Sequence, residues 1–545
     1  VILLFARLRT PSLAALLLSS LALAACTSTP AAGPGADAGP TADALAPPYD
    51  QAPLADLGPI PDYGALPLKC TPPRCPRCMG GKSGCAQKGP FIEDTCCAGG
   101  DPLQSLGSGY GSEVVDLETD GTFVVLCGGF GADFNDVSNP ASPRKRGSAT
   151  RRCQHAAFGS QLAGGKRVVY IAHHGDTWVR TPFLATVHLD GQGLATTVDT
   201  IQDQSILFEG LLYHDDVLYV AAHGGGIRSY TTSADDGKPS FASAVSDGIN
   251  NAWKLAAHRD RLYVADFAAG LHVFSLATRT RPRRLHTVAT SGAPRDVAVS
   301  DRRVYVALGG GGVDVFEIQS SGPPRRVATI SGNGTASAVD VGGGILALAN
   351  WTHVAVYDAD SLALLGTEKV RASFEQDTGV ALHKDLVFVG EWEGLHVLRH
   401  NPGMVAPDIF VAEDLFTLAP GKPATTAVKV SNLGLLDLHV DSVTINDRAF
   451  SVRNGTFRVA PGRADVFEFS FSPPAAGSRA TLQLRTNDPD PRQADLRIPV
   501  EISAFGGLNV GDKLGSDFGF LDPSGSGQVS GLRGKVTILA YFALF

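Results

Sequence analysis

Short apolar cores recur along the middle of the chain at a nearly fixed step, and that repeat limits the fold more than any other feature. The cores are Val124-Val125-Leu126, Val169-Tyr170-Ile171, Leu218-Tyr219-Val220, Leu262-Tyr263-Val264, Val304-Tyr305-Val306, Leu346-Ala347-Leu348 and Val387-Phe388-Val389. From Leu218 onward the steps are 44, 42, 42 and 41 residues, read between positions 218, 262, 304, 346 and 387. Polar turns precede the cores, as at His214-Asp215-Asp216, His258-Arg259-Asp260, Ser300-Asp301-Arg302-Arg303 and His383-Lys384-Asp385. Glycine-bearing turns and a second strand follow, as at Gly224-Gly225-Gly226-Ile227, Gly270-Leu271, Gly312-Val313 and Gly394-Leu395. Strand, short turn and strand is a hairpin signal. A period of roughly 40–45 residues with four short strands per unit is the β-propeller pattern. Each blade then covers its neighbours' faces, and the ring leaves only short edges. A β-sandwich of similar strands gives no reason for so regular a step. The spacing predicts seven units between about Glu113 and His400, in a domain over residues 108–403.

Length and charge bound the rest. The chain has 545 residues, room for three or more domains. Lys+Arg 46 against Asp+Glu 54 gives a net charge of −8, which argues against a nucleic-acid partner. Gly 62 and Pro 34 exceed the ordinary share without reaching the low-complexity range, consistent with many turns.

Residues 1–25 read as an export signal. Arg7 and Arg9 form a basic region, and Leu13 to Leu23 an apolar one too short to span a bilayer as a stable helix. Val1 stands where methionine is usual and is read as an alternative start. Leu23-Ala24-Ala25-Cys26 resembles a bacterial lipoprotein lipobox. The resemblance implies lipidation of Cys26 and a membrane partner reached through the lipid, since several acyl chains anchor stably where one does not. An ordinary signal peptide that ends near a cysteine is the alternative. Thr27, where an aspartate tends to retain such lipoproteins at the inner membrane, favours the outer membrane. Residues 26–68 are rich in Ala, Pro, Gly and Asp and read as a disordered tether. Its expected reach is about 35–40 Å.

Cys70, Cys75, Cys78, Cys85, Cys96 and Cys97 crowd residues 69–101. Export favours three disulfides, with zinc ligation or a redox C-x-x-C at Cys75-Pro76-Arg77-Cys78 as alternatives. Six cysteines allow fifteen pairings, so no connectivity follows. Cys127 and Cys153 stand apart and are able to bridge to each other.

Asn135-Asp136-Val137-Ser138-Asn139-Pro140-Ala141-Ser142-Pro143-Arg144 resembles the strand and turn of LVIVD-repeat propellers of bacterial surface proteins, with weaker copies at Thr280-Arg281-Pro282-Arg283 and Gly322-Pro323-Pro324-Arg325. The resemblance implies a fold and an exported location, with no activity attached. Aligning the repeats puts Glu209, Trp253, Arg295, Ser337 and Thr378 in one column where the innermost strands begin. That column is a possible cradle for a polar ligand at the channel mouth, or simply a solvated rim. His173, His174, His214, His223, His258 and His383 fall in or near turns, scattered between blades. No H-x-H or H-E-x-x-H spacing occurs, so neither a metal nor another cofactor is expected, and no catalytic group is assigned.

Residues 404–505 leave the repeat. Longer strands such as Val466-Phe467-Glu468-Phe469-Ser470-Phe471 and Ala480-Thr481-Leu482-Gln483-Leu484, with turns at Ala460-Pro461-Gly462 and Asp488-Pro489-Asp490, predict about seven strands in an Ig-like sandwich. Asn432-Leu433-Gly434, Pro461-Gly462 and Thr486-Asn487-Asp488-Pro489 resemble the choice-of-anchor D (ASPM–SPD-2–Hydin type) domain, which implies a spacer or binding module. Residues 506–545 carry Val510-Gly511-Asp512-Lys513, Asp517-Phe518 and Leu532-Arg533-Gly534-Lys535-Val536. This order resembles the start of a TlpA-like or AhpC-TSA redoxin; an unrelated β-tail is the alternative. The resemblance implies a truncated thioredoxin-like domain and a coding sequence that continues past Phe545 into cysteine.

The fold class expected is therefore mostly β: a seven-bladed β-propeller, an Ig-like β-sandwich and a truncated thioredoxin-like α/β start. The function expected is an exported, membrane-anchored binding or scaffold lipoprotein with a protein or carbohydrate ligand. The alternative is a thiol-disulfide oxidoreductase or peroxidase; a propeller enzyme is the weakest reading.

Overall fold

Each apolar core forms a strand because it alternates between two faces and is bounded by residues that accept turn geometry. Asp215 and Asp216 have φ of 49° and 62°, and Gly343 and Gly344 have φ of 58° and 83°. Both pairs close two-residue loops, with His214 opposite Val217 and Gly342 opposite Ile345. Left-handed backbone at both loop positions matches the right-handed twist of the strands they join.

The computed structural model describes residues 101–502 except 112, 177–178, 332–333, 370–376, 393, 403, 414, 419–423, 454 and 472–478, together with the strands Ala98–Gly99, Gly519–Asp522 and Gly525–Gln528. The chain divides into residues 60–507 and a second unit of residues 1–59 with 508–545. From the second unit only the hairpin of Gly519–Asp522 with Gly525–Gln528 is described. The lipobox with Cys26, the tether, the cysteines from Cys70 to Cys97 and the last strand of the redoxin-like stretch lie outside the described residues.

Among the described residues the chain is almost entirely β. Seven four-stranded antiparallel sheets follow one another along the chain. Their first strands are Val114–Thr119, His155–Gln161, Leu211–His214, Ala252–His258, Asp296–Val299, Ala338–Gly342 and Asp377–His383. Each lies against the first strand of the next sheet, and the last returns to the first, so these strands line a bore. This is a β-propeller. The apolar cores seen in the sequence are the second strands, such as Arg167–His173 and Val217–Ala221, buried from end to end or nearly so. Fourth strands such as Pro239–Val245 lie outermost and are largely exposed.

Blades are glued by side chains between sheets. Tyr170, Leu184, Phe208, Leu218, Val220 and Tyr230 form one such layer between the second and third blades. Each fully buried large side chain there contributes about 1.5–3 kcal/mol. The tyrosines also tie each blade to the next by hydrogen bonds. Tyr170 Oη donates to the Gly237 carbonyl at 2.7 Å, Tyr219 Oη to Arg279 at 2.8 Å and Tyr305 Oη to Ala359 at 2.8 Å. Cys127 and Cys153 are joined as a disulfide between the second strand of the first blade and the loop entering the second, with their Cα atoms 4.6 Å apart.

The ring closes with a strand from before the repeats. Leu103–Tyr110 pairs antiparallel with Gly394–His400 and becomes the outer strand of the seventh blade. The propeller thus begins at Leu103 rather than at residue 108. The strand carries Gln104, Ser105, Gly107, Ser108 and Gly109, so it has no apolar signature of its own.

Residues 409–502 form two facing sheets. One holds Ile409–Phe410, Ala424–Asn432, Ala464–Phe471 and Phe450–Arg453; the other holds Phe416–Leu418, Asp495–Ile502, Arg479–Thr486, Leu438–Ile445 and Phe457–Val459. Phe416, Val428, Phe467, Phe469, Leu482 and Val500 fill the space between them. The nine strands exceed the seven expected, because very short edge strands such as Ile409–Phe410 carry no alternation to read. The expected turn at Asp488–Pro489–Asp490 leads into a short helix, Pro491–Ala494, capped by the Asp490 carboxylate accepting from the Arg492 amide.

This lobe meets the sixth blade through hydrogen bonds and one ion pair. The Asp408 carboxylate accepts the Thr367 amide at 2.9 Å, Arg492 pairs with Glu368, and Lys369 Nζ donates to the Val411 carbonyl at 2.7 Å.

Candidate functional site

In every blade the end of the second strand and the start of the first strand meet at the same rim of the bore, because the two strands are antiparallel. The residue four places after the second-strand tyrosine position is Gly129, His174, His223, Phe267, Gly309, Trp351 and Trp392 in successive blades. Where that residue is glycine, a charged neighbour fills the gap. A Cβ on Gly309 would meet Arg295 Nε at 2.8 Å, and one on Gly129 would run into Glu113 Oε2. The rim is therefore a circle of aromatic, imidazole and charged groups. The chain has four tryptophans; Trp253, Trp351 and Trp392 stand half-buried here, and Trp178 lies outside the described residues.

The second, third and fourth blades bring the densest group together. Glu209 precedes the first strand of the third blade and is 6% exposed. Its Oε2 lies against His174 Nδ1 and 3.1 Å from His223 Nε2. Burial would raise the Glu209 carboxyl, but hydrogen bonds from His174 and His223 outweigh it and hold it at about 2. His223 is moved the other way: burial lowers it, and the Glu209 bond and charge overcome that and raise it. The His223 ring meets Trp253 edge-on at 6.3 Å, and Trp253 stacks on Phe267 at 5.0 Å. Asn251 joins the group through its Oδ1, which accepts from Trp253 Nε1 at 3.2 Å and lies 2.6 Å from His223 Nδ1.

Asp266 fixes the loops that carry these rings. Wholly buried, it accepts from the amides of Asn250 and Asn251 at 2.7 and 3.0 Å and from those of Ala268 and Ala269 at 2.9 and 3.0 Å. His272 Nε2 adds a fifth contact at 3.1 Å. Burial pushes this carboxyl up, and the His272 and amide bonds bring it down to about 2.

Two solved structures are similar in shape. The WD40 β-propeller domain of Doa1 matches with 10% identity and a TM-score of 0.43, covering 55% of this chain and 97% of its own. The computationally designed Ika8 protein matches with 13% identity and a TM-score of 0.39, covering 55% of this chain and 100% of its own. At that level the likeness carries no argument, and the architecture here stands on strand pairing. No family model and no curated protein sequence matches the chain.

The residues aligned from the sequence all fall at strand starts on this rim, and they divide into two groups. Glu209 and Trp253 converge through His223. Arg295 lies across Gly309 in the fifth blade. Ser337 Oγ donates to the Ala349 carbonyl at 3.0 Å, and Thr378 Oγ1 donates to the Val114 carbonyl at 2.8 Å. Those two hydroxyls tie neighbouring strands together.

Sequence reasoning named His174 and His223 but set them aside as scattered, and it missed Asn251 and Phe267. The histidines look scattered along the chain, yet His174 and His223 occupy the same phase of the repeat. That shared phase was the signal, and it corrects the expectation that no metal-type cluster converges.

Below the rim the bore is polar as well. Lys254 of the fourth blade reaches across to pair with Asp116 of the first. His155 Nδ1 accepts the Leu211 amide at 2.9 Å, which leaves its Nε2–H to donate to Asp116 Oδ2 at 3.0 Å. Asp296 accepts the Val339 amide at 2.9 Å and Asp340 the Leu382 amide at 2.8 Å, each bridging one blade to the next.

Proposed function

We propose that this chain is a binding or scaffold protein that works at the cell envelope, with the aromatic rim as its ligand face. The observation that carries the reading is the gathering of Trp253, Phe267, Trp351 and Trp392 with Arg295 and Glu209 on one rim of a closed ring. Flat, partly open ring faces beside a cation and a carboxylate suit a saccharide, whose C–H faces stack while its hydroxyls bond. The propeller in this reading is of the LVIVD-like kind, and the two-sheet lobe is an Ig-like spacer of the choice-of-anchor D type. The lipobox supports an anchor at Cys26 and an outer-membrane address; Cys26→Ser is expected to release the protein into the soluble exported fraction.

An oligosaccharide array, followed by titration of the best hit with tryptophan fluorescence, tests the site. The Trp253→Ala, Arg295→Ala double variant should lose at least tenfold in affinity. Unchanged affinity would reject the rim. A second reading, thiol-disulfide oxidoreductase chemistry, has the redoxin-like order of residues 510–536 in its support. A disulfide-reductase assay on the complete gene product tests it.

A further inference from the structure

We propose that His174, Glu209 and His223 form a binding site for one divalent transition-metal ion of the zinc class, open on one side to water or to a ligand atom. This goes beyond a saccharide-binding rim and does not depend on it.

The geometry comes first. The three residues come from separate segments, and one ligand atom of each lies within 4.8 Å of the others. Zinc binds imidazole nitrogen at about 2.0–2.1 Å and carboxylate oxygen at about 2.0–2.2 Å, so tetrahedral ligand atoms stand roughly 3.3 Å apart. His223 Nε2 and Glu209 Oε2 are already 3.1 Å apart. A small rotation of His174 away from the shared oxygen completes the triangle. Two imidazoles and a carboxylate leave a fourth position, and the His174 and His223 side chains keep 32% and 21% of their surface exposed, so the group is not sealed from solvent.

Hydrogen bonding then fixes what His223 presents. The indole N–H of Trp253 can only donate, so Asn251 Oδ1 is an acceptor. The same Oδ1 faces His223 Nδ1 at 2.6 Å, so Nδ1 must carry the proton. In a neutral ring, Nε2 is then bare and aimed at a carboxylate oxygen. Without an ion that place is taken by the proton His223 shares with Glu209; a divalent ion takes the proton's place and serves three ligands together. A ligating histidine whose other nitrogen is held by an outer partner is the usual arrangement around bound metals.

The backbone is set for this as well. His223 has φ of 47°, a left-handed conformation uncommon outside glycine. It is held there by reciprocal bonds with Ala252, from His223 N to Ala252 O at 3.2 Å and from Ala252 N to His223 O at 3.3 Å. Imidazole with carboxylate favours zinc, copper or nickel over calcium or magnesium.

The test uses the full chain, stripped with EDTA and dialysed against Zn²⁺ alone. One zinc per chain should be held beyond what the His174→Ala, His223→Ala double variant holds. Co²⁺ in its place should give the visible bands of a tetrahedral ion without a thiolate charge-transfer band. Zinc should raise the melting temperature of the wild type and leave that of the double variant unmoved. Asn251→Ala and Trp253→Phe keep all three ligands and should weaken zinc by about 10–100-fold; they stand in if the double variant does not fold. Equal zinc in the double variant, which would assign the metal to the cysteines of residues 70–97, overturns the site. So does an absence of zinc in the wild type, or unchanged affinity in both outer variants.

Discussion

The bore and the rim are built from the same inner strands, yet their polar groups have opposite fates. In the bore, Asp296 and Asp340 accept amides of the neighbouring blade, and Asp116 is shared by Lys254 and His155. At the rim, Glu209, His174 and His223 press on one oxygen and keep a side open to solvent. Exposure does not separate the two, for Asp296 and Asp340 are half-buried while Glu209 is 6% exposed. The partners do: the bore carboxylates are taken up by amides and cations of facing blades, the rim carboxylate by two histidines that keep exposed surface. In a repeat ring, the partner a polar residue finds therefore separates structural from functional polarity, although the residue types are alike.

The sharpest test of that contrast removes a bore partner. Lys254→Met leaves the Asp116 carboxylate buried with only His155 and should cost about 3–5 kcal/mol in urea unfolding. A loss below about 1 kcal/mol would mean that the Lys254–Asp116 pair does not hold opposite walls of the bore together.

A smaller effect is expected from pH. Burial, with the Asp116, Asp340 and Asp296 carboxylates added, pushes Glu118 up to about 8. Burial likewise pushes Asp340 up to about 6, against the bonds from Leu382 and Val341. Both lie above their unfolded values near 4, so the folded state holds these protons more tightly. Stability should fall as pH rises from about 4 to 6 through Asp340, and on to about 8 through Glu118. The Glu118 side chain keeps 40% of its surface open, which screens its share. Urea midpoints at successive pH values measure the slope, and Glu118→Gln should flatten its upper part. A midpoint that rises with pH over this window would contradict the assignment.

The blade ties come next. Tyr219→Phe deletes a hydroxyl that serves the following blade and should cost about 1 kcal/mol. Tyr263 Oη finds no hydrogen-bond partner among the described residues, so Tyr263→Phe should cost distinctly less in the same thermal melt. Equal costs would remove the blade-to-blade bond from the account. Least of all, Arg325→Ala on the surface breaks a pair with Glu317 whose side chains are 67% and 36% exposed, and should leave the urea midpoint where it is.

What the sequence revealed follows from where each strand sits. Second strands are covered on both faces, so Leu218-Tyr219-Val220 and its counterparts stand out as apolar runs, and their turns are marked by Asp and Gly. The closing strand has one covered face and a partner far away in the chain, so Leu103–Tyr110 looks like loop. Glu209 and Trp253 were legible because alignment of the repeats placed them at strand starts. His174 and His223 share one phase of the repeat, but their meeting at Glu209 depends on the packing of two blades. The bore network was hidden for a related reason: Asp116 and Lys254 are ordinary alternating polar residues until the ring brings opposite walls together.

The closing strand has a kinetic consequence. Ser105 Oγ meets His396 Nε2 at 3.1 Å across 291 positions of chain. Neighbouring blades can assemble from contacts close in sequence, but this seam requires the longest loop in the ring to shut, and closure of that kind is slow. A chain emerging amino end first must carry Leu103–Tyr110 unpaired until Gly394–His400 arrives. The ring therefore locks in a single late event, and the seventh blade is where a protease acting during synthesis or export would find its first unguarded edge.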